Sequence, residues 1–222
     1  MPLSVIHARS AIGIKAPLIT IEVHISPGIP AFNVVGLPHR SISEAKERVR
    51  SAILNSGLTF PPKRITINLS PADLPKQGAR FDLAIAVGVL AASGQIPVNQ
   101  LPHFEFMGEL ALSGELRPVA GALVAALSLP DTKSLITSIE HTNDFSVIPN
   151  LKTFYATHLQ DIVTFFNDYA NTSSSIILNP DQPIEALDSD AEHATDYNDV
   201  LGQTHAINAC LYAAAGSHNL LL

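Results

Sequence analysis

The chain has 222 residues, 46% of them hydrophobic, with a mean hydropathy of +0.23; this is core material for one ordinary domain and something smaller. No apolar run approaches the ~18–20 residues of a membrane span, and the opening MPLSVIHARSAIGIK alternates apolar with polar residues, so no signal peptide is expected there. The net charge is −7 and Cys210 is the single cysteine, which excludes an internal disulfide and a cysteine-ligated zinc site and leads us to expect a reducing, cytoplasmic setting.

Residues 2–37 read as strands. In LITIEVHIS, Ile19, Ile21, Val23 and Ile25 share one face, and AFNVVGLP closes a second run at a Gly and a Pro. The period then changes. SISEAKERVRSAILNSG places Ile42, Ala45, Val49, Ala52 and Ile53 at helical spacing, with Ser41 and Glu44 as a capping box and Gly57 as the left-handed residue beyond the end. KRITINLSP is a further alternating strand, and FDLAIAVGVLAASG, apolar on nearly every side, predicts a helix inside the domain. FEFMGEL and GELRP read as short strands, VAGALVAALSL as a helix, SLITSIE and KTFYATH as strands, and LQDIVTFFNDY as an amphipathic helix. Strands first, with helices interspersed later, indicate an α+β or mixed α/β class.

From Asn171 to Asp199 the chain is rich in Ser, Asp, Asn and Pro and holds seven acids and no cation, the composition of a linker. DVLGQTHAINACLYAAAGSHNLLL then starts afresh: Ala206, Cys210 and Ala213 form a helical stripe that favours a core cysteine, Gly216 caps it, and HNLLL begins an apolar strand. A strand of leucines with no partner after it suggests a cut chain.

The charges are segregated. All 13 Lys and Arg lie at or before Lys152, whereas 9 of the 20 acids follow it. Residues 40–82 carry eight cations against four acids, a strip compatible with phosphates or nucleic acid. Arg48, Arg50, Lys63, Arg64, Lys76 and Arg80 are its candidate contacts; the competing reading is a solvated face, with Arg48 and Arg50 paired to Glu44 and Glu47 on their own helix.

The stretch LPKQGARFD joins the strand at 64–70 to the buried helix. A P-loop needs more glycine and a Lys followed by Ser or Thr, and neither is present. A nucleophile loop needs a hydroxyl or thiol, and no Ser, Thr or Cys lies between Ser70 and Ser93. What remains is a connection in which Gly78 supplies a special backbone angle and Asp82 sits in the first helical turn, with Lys76 and Arg80 exposed or paired. The nine histidines show no metal-ligand spacing, so no metal site is expected. Glu105, Glu109 and Glu115 have the residue type for acid–base work but the alternation of a half-exposed strand.

FNVVGLPHRSISEAKERVRSAILNSG, KRITINLSPADLPKQGARFDLAIAVGVLAASG, GELALSGELRPVAGAL and the terminal DVLGQTHAINACLYAAAGSHNLLL together resemble the ComM/YifB family, bacterial magnesium-chelatase-like AAA+ ATPases. The resemblance covers most of residues 1–128 and 198–222. It implies a Lon-protease-like (ribosomal-protein-like) domain at 1–170, an acidic linker at 171–197, and the start of the ATPase module at 198–222, cut before its Walker A loop. Aligned on the Lon dyad, Arg80 stands in place of the attacking serine and Leu123 in place of the partner lysine, so no catalytic residue is expected. The family also implies a hexameric ring acting on branched or single-stranded DNA in recombination and natural transformation. ATP and Mg²⁺ would then be cofactors of the full-length protein and not of this chain, with Asp199, Val200, Gly202 and Gln203 at adenine-pocket positions. The expected role is a non-catalytic assembly and DNA-contact domain. The alternatives are a protein-interaction module of the same ATPase without DNA contact, and a Lon-type peptidase, which the missing dyad disfavours.

Overall fold

Three alternating runs near the amino terminus and a fourth after the first helix build one sheet in the computed structural model, which describes residues 3–36, 40–74, 76, 78–168, 177–178, 200 and 202–220. The strands are β1 (Leu3–Arg9), β2 (Leu18–Ser26), β3 (Ala31–Val35) and β4 (Arg64–Ser70), in the order β1-β2-β4-β3. β1 and β4 both run antiparallel to β2, and β3 runs parallel to β4. Ile19, Ile21, Val23 and Ile25 all face inward, as the period of two requires, and Ile21 sits opposite both Ile6 and Leu69.

Helix α1 (Arg40–Asn55) makes the crossover from β3 to its parallel neighbour β4. Ala45, Val49, Ala52 and Ile53 bury its apolar stripe. Gly57 takes φ +73°, and Leu58 N–H donates to Ile53 O (3.1 Å) to close the helix end. The side chains of Ile42 and of the expected capping pair, Ser41 and Glu44, lie outside the described residues.

Helix α2 (Asp82–Ala92) is buried along its whole length and packs on β1 and β2, where Ser4 Oγ donates to Gly88 O (2.7 Å). A helix covered all round has no polar face to display, which is why its sequence shows almost no amphipathic pattern.

A second sheet follows, in the order β10-β9-β8-β5. Its strands are β5 (Phe104–Phe106), β8 (Ser134–Ser138), β9 (Thr153–Ala156) and β10 (Ile177–Leu178). The first three are mutually parallel and β10 is antiparallel to β9. Between β5 and β8 lie a short hairpin, β6 (Glu109–Leu110) with β7 (Leu116–Arg117), and helix α3 (Ala122–Leu127). Helix α4 (Thr142–Phe145) connects β8 to β9, and α5 (Leu159–Asn167) follows β9. The class is α+β.

Several elements differ from expectation. Helix α3 is six residues long because Gly121, at φ +74°, precedes it in the left-handed region. The short α4, with the 3-10 turn Ile139–His141 before it, carries too little periodicity to read from sequence.

The chain divides into two units, Met1–Gln182 and Pro183–Leu222. Apart from residues 177–178, the expected acidic linker at 171–197 lies outside the described residues. The second unit contains α6 (Thr204–Gly216), none of whose residues is buried; Cys210 is half-exposed, not a core residue. Ser217, not Gly216, takes the left-handed position at its end (φ +52°), with His218 N–H donating to Ala213 O (2.8 Å). His218–Leu220 form no strand, and Leu221 and Leu222 are not described. Among the described residues no helix is long and apolar enough to cross a membrane.

Candidate functional site

The loop after β4 folds around a buried lysine. Lys76 is 1% exposed, and its Nζ donates to the carbonyls of Pro71 and Leu74 (3.0 Å to Leu74). Burial pulls its pKa below the usual lysine value, against the attraction of Asp73. Its Nζ thus supplies these two carbonyls with a donor. Gly78 follows at φ +77°, ψ 179°, a region open almost only to glycine. That angle turns the chain into the 3-10 segment Ala79–Phe81 and then into α2.

Two devices hold the turn. Gly108 N–H donates to Arg80 O and Leu83 N–H donates to Gly108 O, both at 3.2 Å. Arg48, reaching from α1, donates through Nε and Nη2 to Asp82 Oδ2 and Oδ1 at 2.6 and 3.1 Å, a bidentate pair. Asp82 is 1% exposed, and burial pushes its pKa up to about 6 despite the hydrogen bonds and charge of Arg48 and a backbone hydrogen bond at Leu110.

Arg80 lies half-buried beside Gly121: a Cβ built on Gly121 would sit 3.5 Å from Arg80 Nη1. That nitrogen is buried without a hydrogen-bond partner, and burial lowers the pKa of the guanidinium. The fold therefore brings position 80 against the segment that leads to Leu123, which is 39% exposed. Neither side chain offers the hydroxyl or thiol that a nucleophile requires.

A histidine–carboxylate pair stands nearby in sequence. His141 Nδ1 lies 3.0 Å from Asp144 Oδ2, while its Nε2 accepts from Val119 N–H (3.0 Å). The backbone bond assigns the lone pair to Nε2 and the proton to Nδ1. With Nε2 occupied, the ring clamps the chain before α3 and is not free to act as a base.

Glu105 is 1% exposed and is held by Arg9 (Nε–Oε2 2.6 Å, Nη2–Oε1 3.1 Å) and by Lys133 (3.8 Å). Glu109 is half-exposed and Glu115 exposed.

The six cations proposed from sequence fall into two groups. Arg48, Lys76 and Arg80 point into the protein, whereas Arg50, Lys63 and Arg64 are exposed. Arg50 lies over the Phe60 ring, 5.6 Å from its centroid. The ion pair of Arg48 with Asp82 spans 34 residues, a tertiary partner that its own helix does not supply, while the side chain of Glu44, the same-helix partner expected from sequence, lies outside the described residues. Lys46, on the same helix as Arg50, also borders this surface and was not among the six; its spacing of four residues from Arg50 was the available signal.

The family described as subunit ChlI of Mg-chelatase matches residues 21–140, from β2 through this loop to β8. The chain is similar over its whole length to competence protein ComM of Haemophilus influenzae, at 44% identity over 222 residues and 43% of that relative. It is also similar to the uncharacterized protein YifB of Escherichia coli, at 43% identity over 223 residues and 42% of the relative. The uncharacterized protein Mb2921c of Mycobacterium bovis is 32% identical over 212 residues, covering 95% of this chain and 41% of the relative. The chain belongs to the ComM/YifB family of magnesium-chelatase-like AAA+ proteins. It spans less than half the length of these curated relatives.

In the second unit of this ComM/YifB chain, Val200 is exposed, Gly202 takes φ +77°, and Gln203 precedes α6. Asp199 lies outside the described residues. These positions offer small groups and backbone to a flat base, but residues 183–222 contain no Lys or Arg to face a triphosphate. They do not by themselves fit ATP. Among the described residues no group of three His, Cys, Asp or Glu is placed to hold a metal ion.

Proposed function

We propose that this chain is the non-catalytic, amino-terminal assembly and DNA-contact part of a cytoplasmic AAA+ ATPase of the ComM/YifB family. The full-length protein would form a hexameric ring, use ATP and Mg²⁺, and act on branched or single-stranded DNA in recombination and natural transformation; the similarity to a protein named for competence supports the last of these. The observation that carries the reading is the braced loop between β4 and α2. Arg48–Asp82 and Lys76 brace a turn that holds no nucleophile, which supports reading Arg80 and Leu123 as replacements of a Lon-type dyad. Such a loop keeps a scaffold while giving up its chemistry.

Of the six basic residues, Arg50, Lys63 and Arg64 are the ones placed to meet DNA, because a phosphate contact needs an accessible cation. Binding of forked DNA should weaken steeply with salt, since each neutralised phosphate releases condensed counterions. Fluorescence anisotropy across a salt series tests this. No binding at low salt would favour the protein-interaction module instead. Casein and peptide substrates should remain intact; cleavage blocked by a serine-directed inhibitor would overturn the non-catalytic assignment.

A further inference from the structure

We infer that the groove between α1 and the start of β4 is a site for single-stranded nucleic acid, with the exposed guanidinium plane of Arg50, backed by Phe60, taking an unstacked base and Lys46 and Lys63 taking the flanking phosphates. The inference rests on the DNA-contact reading above and names its site. The groove, ≈ 260 Å³ in volume, is lined by Phe32, Phe60, Lys46, Arg50 and Lys63 among others, and among the described residues no acidic one lines it. Phe32 and Phe60 stack at 6.2 Å and 27°, and the exposed guanidinium of Arg50 lies 5.6 Å over Phe60. Aromatic faces and guanidinium planes are the surfaces on which splayed bases stack.

The cations are available. Among the described residues no carboxylate pairs with Arg50 or Lys63, and Lys46 meets only the exposed Glu47 at 4.0 Å. A neighbouring groove of ≈ 470 Å³ shares Pro61, Pro62 and Lys63 and continues past Ser93 and Gln95. The two grooves thus adjoin at Lys63. A duplex keeps its base faces stacked, so it could offer this groove only phosphates. An acidic peptide would satisfy the cations but leave the stack unused. The combination favours a single strand.

The chain contains no tryptophan, so Phe60→Trp places a sole indole in the groove. Titration with oligothymidylate should quench its emission saturably, and a duplex of equal length should quench it less. On the wild-type background, Lys46→Gln with Lys63→Gln, and separately Arg50→Gln, should each weaken oligothymidylate binding on the order of tenfold. The double variant should also lower the salt slope by about 0.7 for each phosphate that is no longer neutralised. Lys152→Gln, an exposed cation away from this groove, should change neither. If wild type binds oligothymidylate but these variants bind with the same affinity and slope, the groove is not the site, while the DNA-contact reading stands. Binding of duplex alone would likewise exclude the groove and leave that reading in place. No binding of any DNA at low salt overturns both. Equal quenching by polyglutamate overturns the nucleic-acid assignment.

Discussion

Replacing Arg48 with methionine is expected to destabilise the first unit by about 3–5 kcal/mol near neutral pH, the cost of leaving a buried charge without its partner. Asp82, 1% exposed, would keep only its backbone hydrogen bond and would face the repulsion of Glu109. It would respond by taking up a proton, so the penalty should shrink as the pH falls. Asp82→Asn separates the ionic part from the packing. In the folded wild type the Asp82 pKa is raised from 3.8 to about 6, so between these values the folded state holds a proton that the unfolded state has lost. The stability from that proton is fully present below about pH 4 and is lost as pH rises through about 6. Two units at ~1.4 kcal/mol each make this about 3 kcal/mol. His7, whose pKa is lowered chiefly by burial and then by Lys133, has the opposite sign, losing stability as pH falls through its titration. Comparison with Asp82→Asn cancels that contribution because His7 is present in both proteins. Urea unfolding of wild type, R48M and D82N at about pH 4 and about pH 7 gives the measurement. A pH-independent difference between wild type and D82N would show that Asp82 titrates normally and that burial does not govern it.

The second large effect is expected from Phe104→Ala in β5. The ring is 2% exposed and meets Phe154, Phe165 and Phe166 at 5.6, 5.7 and 5.3 Å, with interplanar angles of 66°, 89° and 86°. It therefore ties β5 to β9 and to α5, while β5 itself packs against β1 of the other sheet. Removing a buried phenylalanine costs about 3–5 kcal/mol through lost transfer energy and the cavity left behind. Edge-to-face partners make the upper half of that range the better expectation, at about 0.5–1.5 kcal/mol per pair beyond area burial. At this chain length each kcal/mol shifts the melting temperature by about 2–4 °C, so a drop of roughly 10 °C should appear by calorimetry. Phe104→Leu, which fills more of the space but loses the ring edges, should fall between the two. A loss below about 1 kcal/mol for the alanine variant would mean that the surrounding rings collapse into the gap.

Much of the architecture was legible in the chain. The alternation of Ile19, Ile21, Val23 and Ile25 named the inner face of β2, because successive side chains of a strand point to opposite sides. The stripe of Ala45, Val49, Ala52 and Ile53 likewise named the inner face of α1, and the uniform hydrophobicity of residues 82–92 announced a helix with no outer face. Residue identity also decided the chemistry of the loop. Between Ser70 and Ser93 there is no hydroxyl or thiol, and no arrangement in space can supply one from within that stretch.

The destination of the charged side chains was not legible. Arg48 and Arg50 stand two residues apart on one helix, yet one reaches inward to Asp82 and the other lies over Phe60 at the surface. Residues two apart on a helix face different directions, and which direction is inward depends on what packs there. Lys76 carries the same charge as Lys63, but the loop wraps its carbonyls around one ammonium and leaves the other in solvent. A long side chain finds its partner by distance through space, and Arg9 and Glu105, 96 residues apart, meet at 2.6 Å only because β1 and β5 are brought together. The sequence by itself determined the inner faces of the elements and the absence of a nucleophile from the loop, since those depend on local period and residue type. Only the tertiary structure decided which cations are buried as braces and which are left free for a ligand, since that depends on desolvation and on partners distant in the chain.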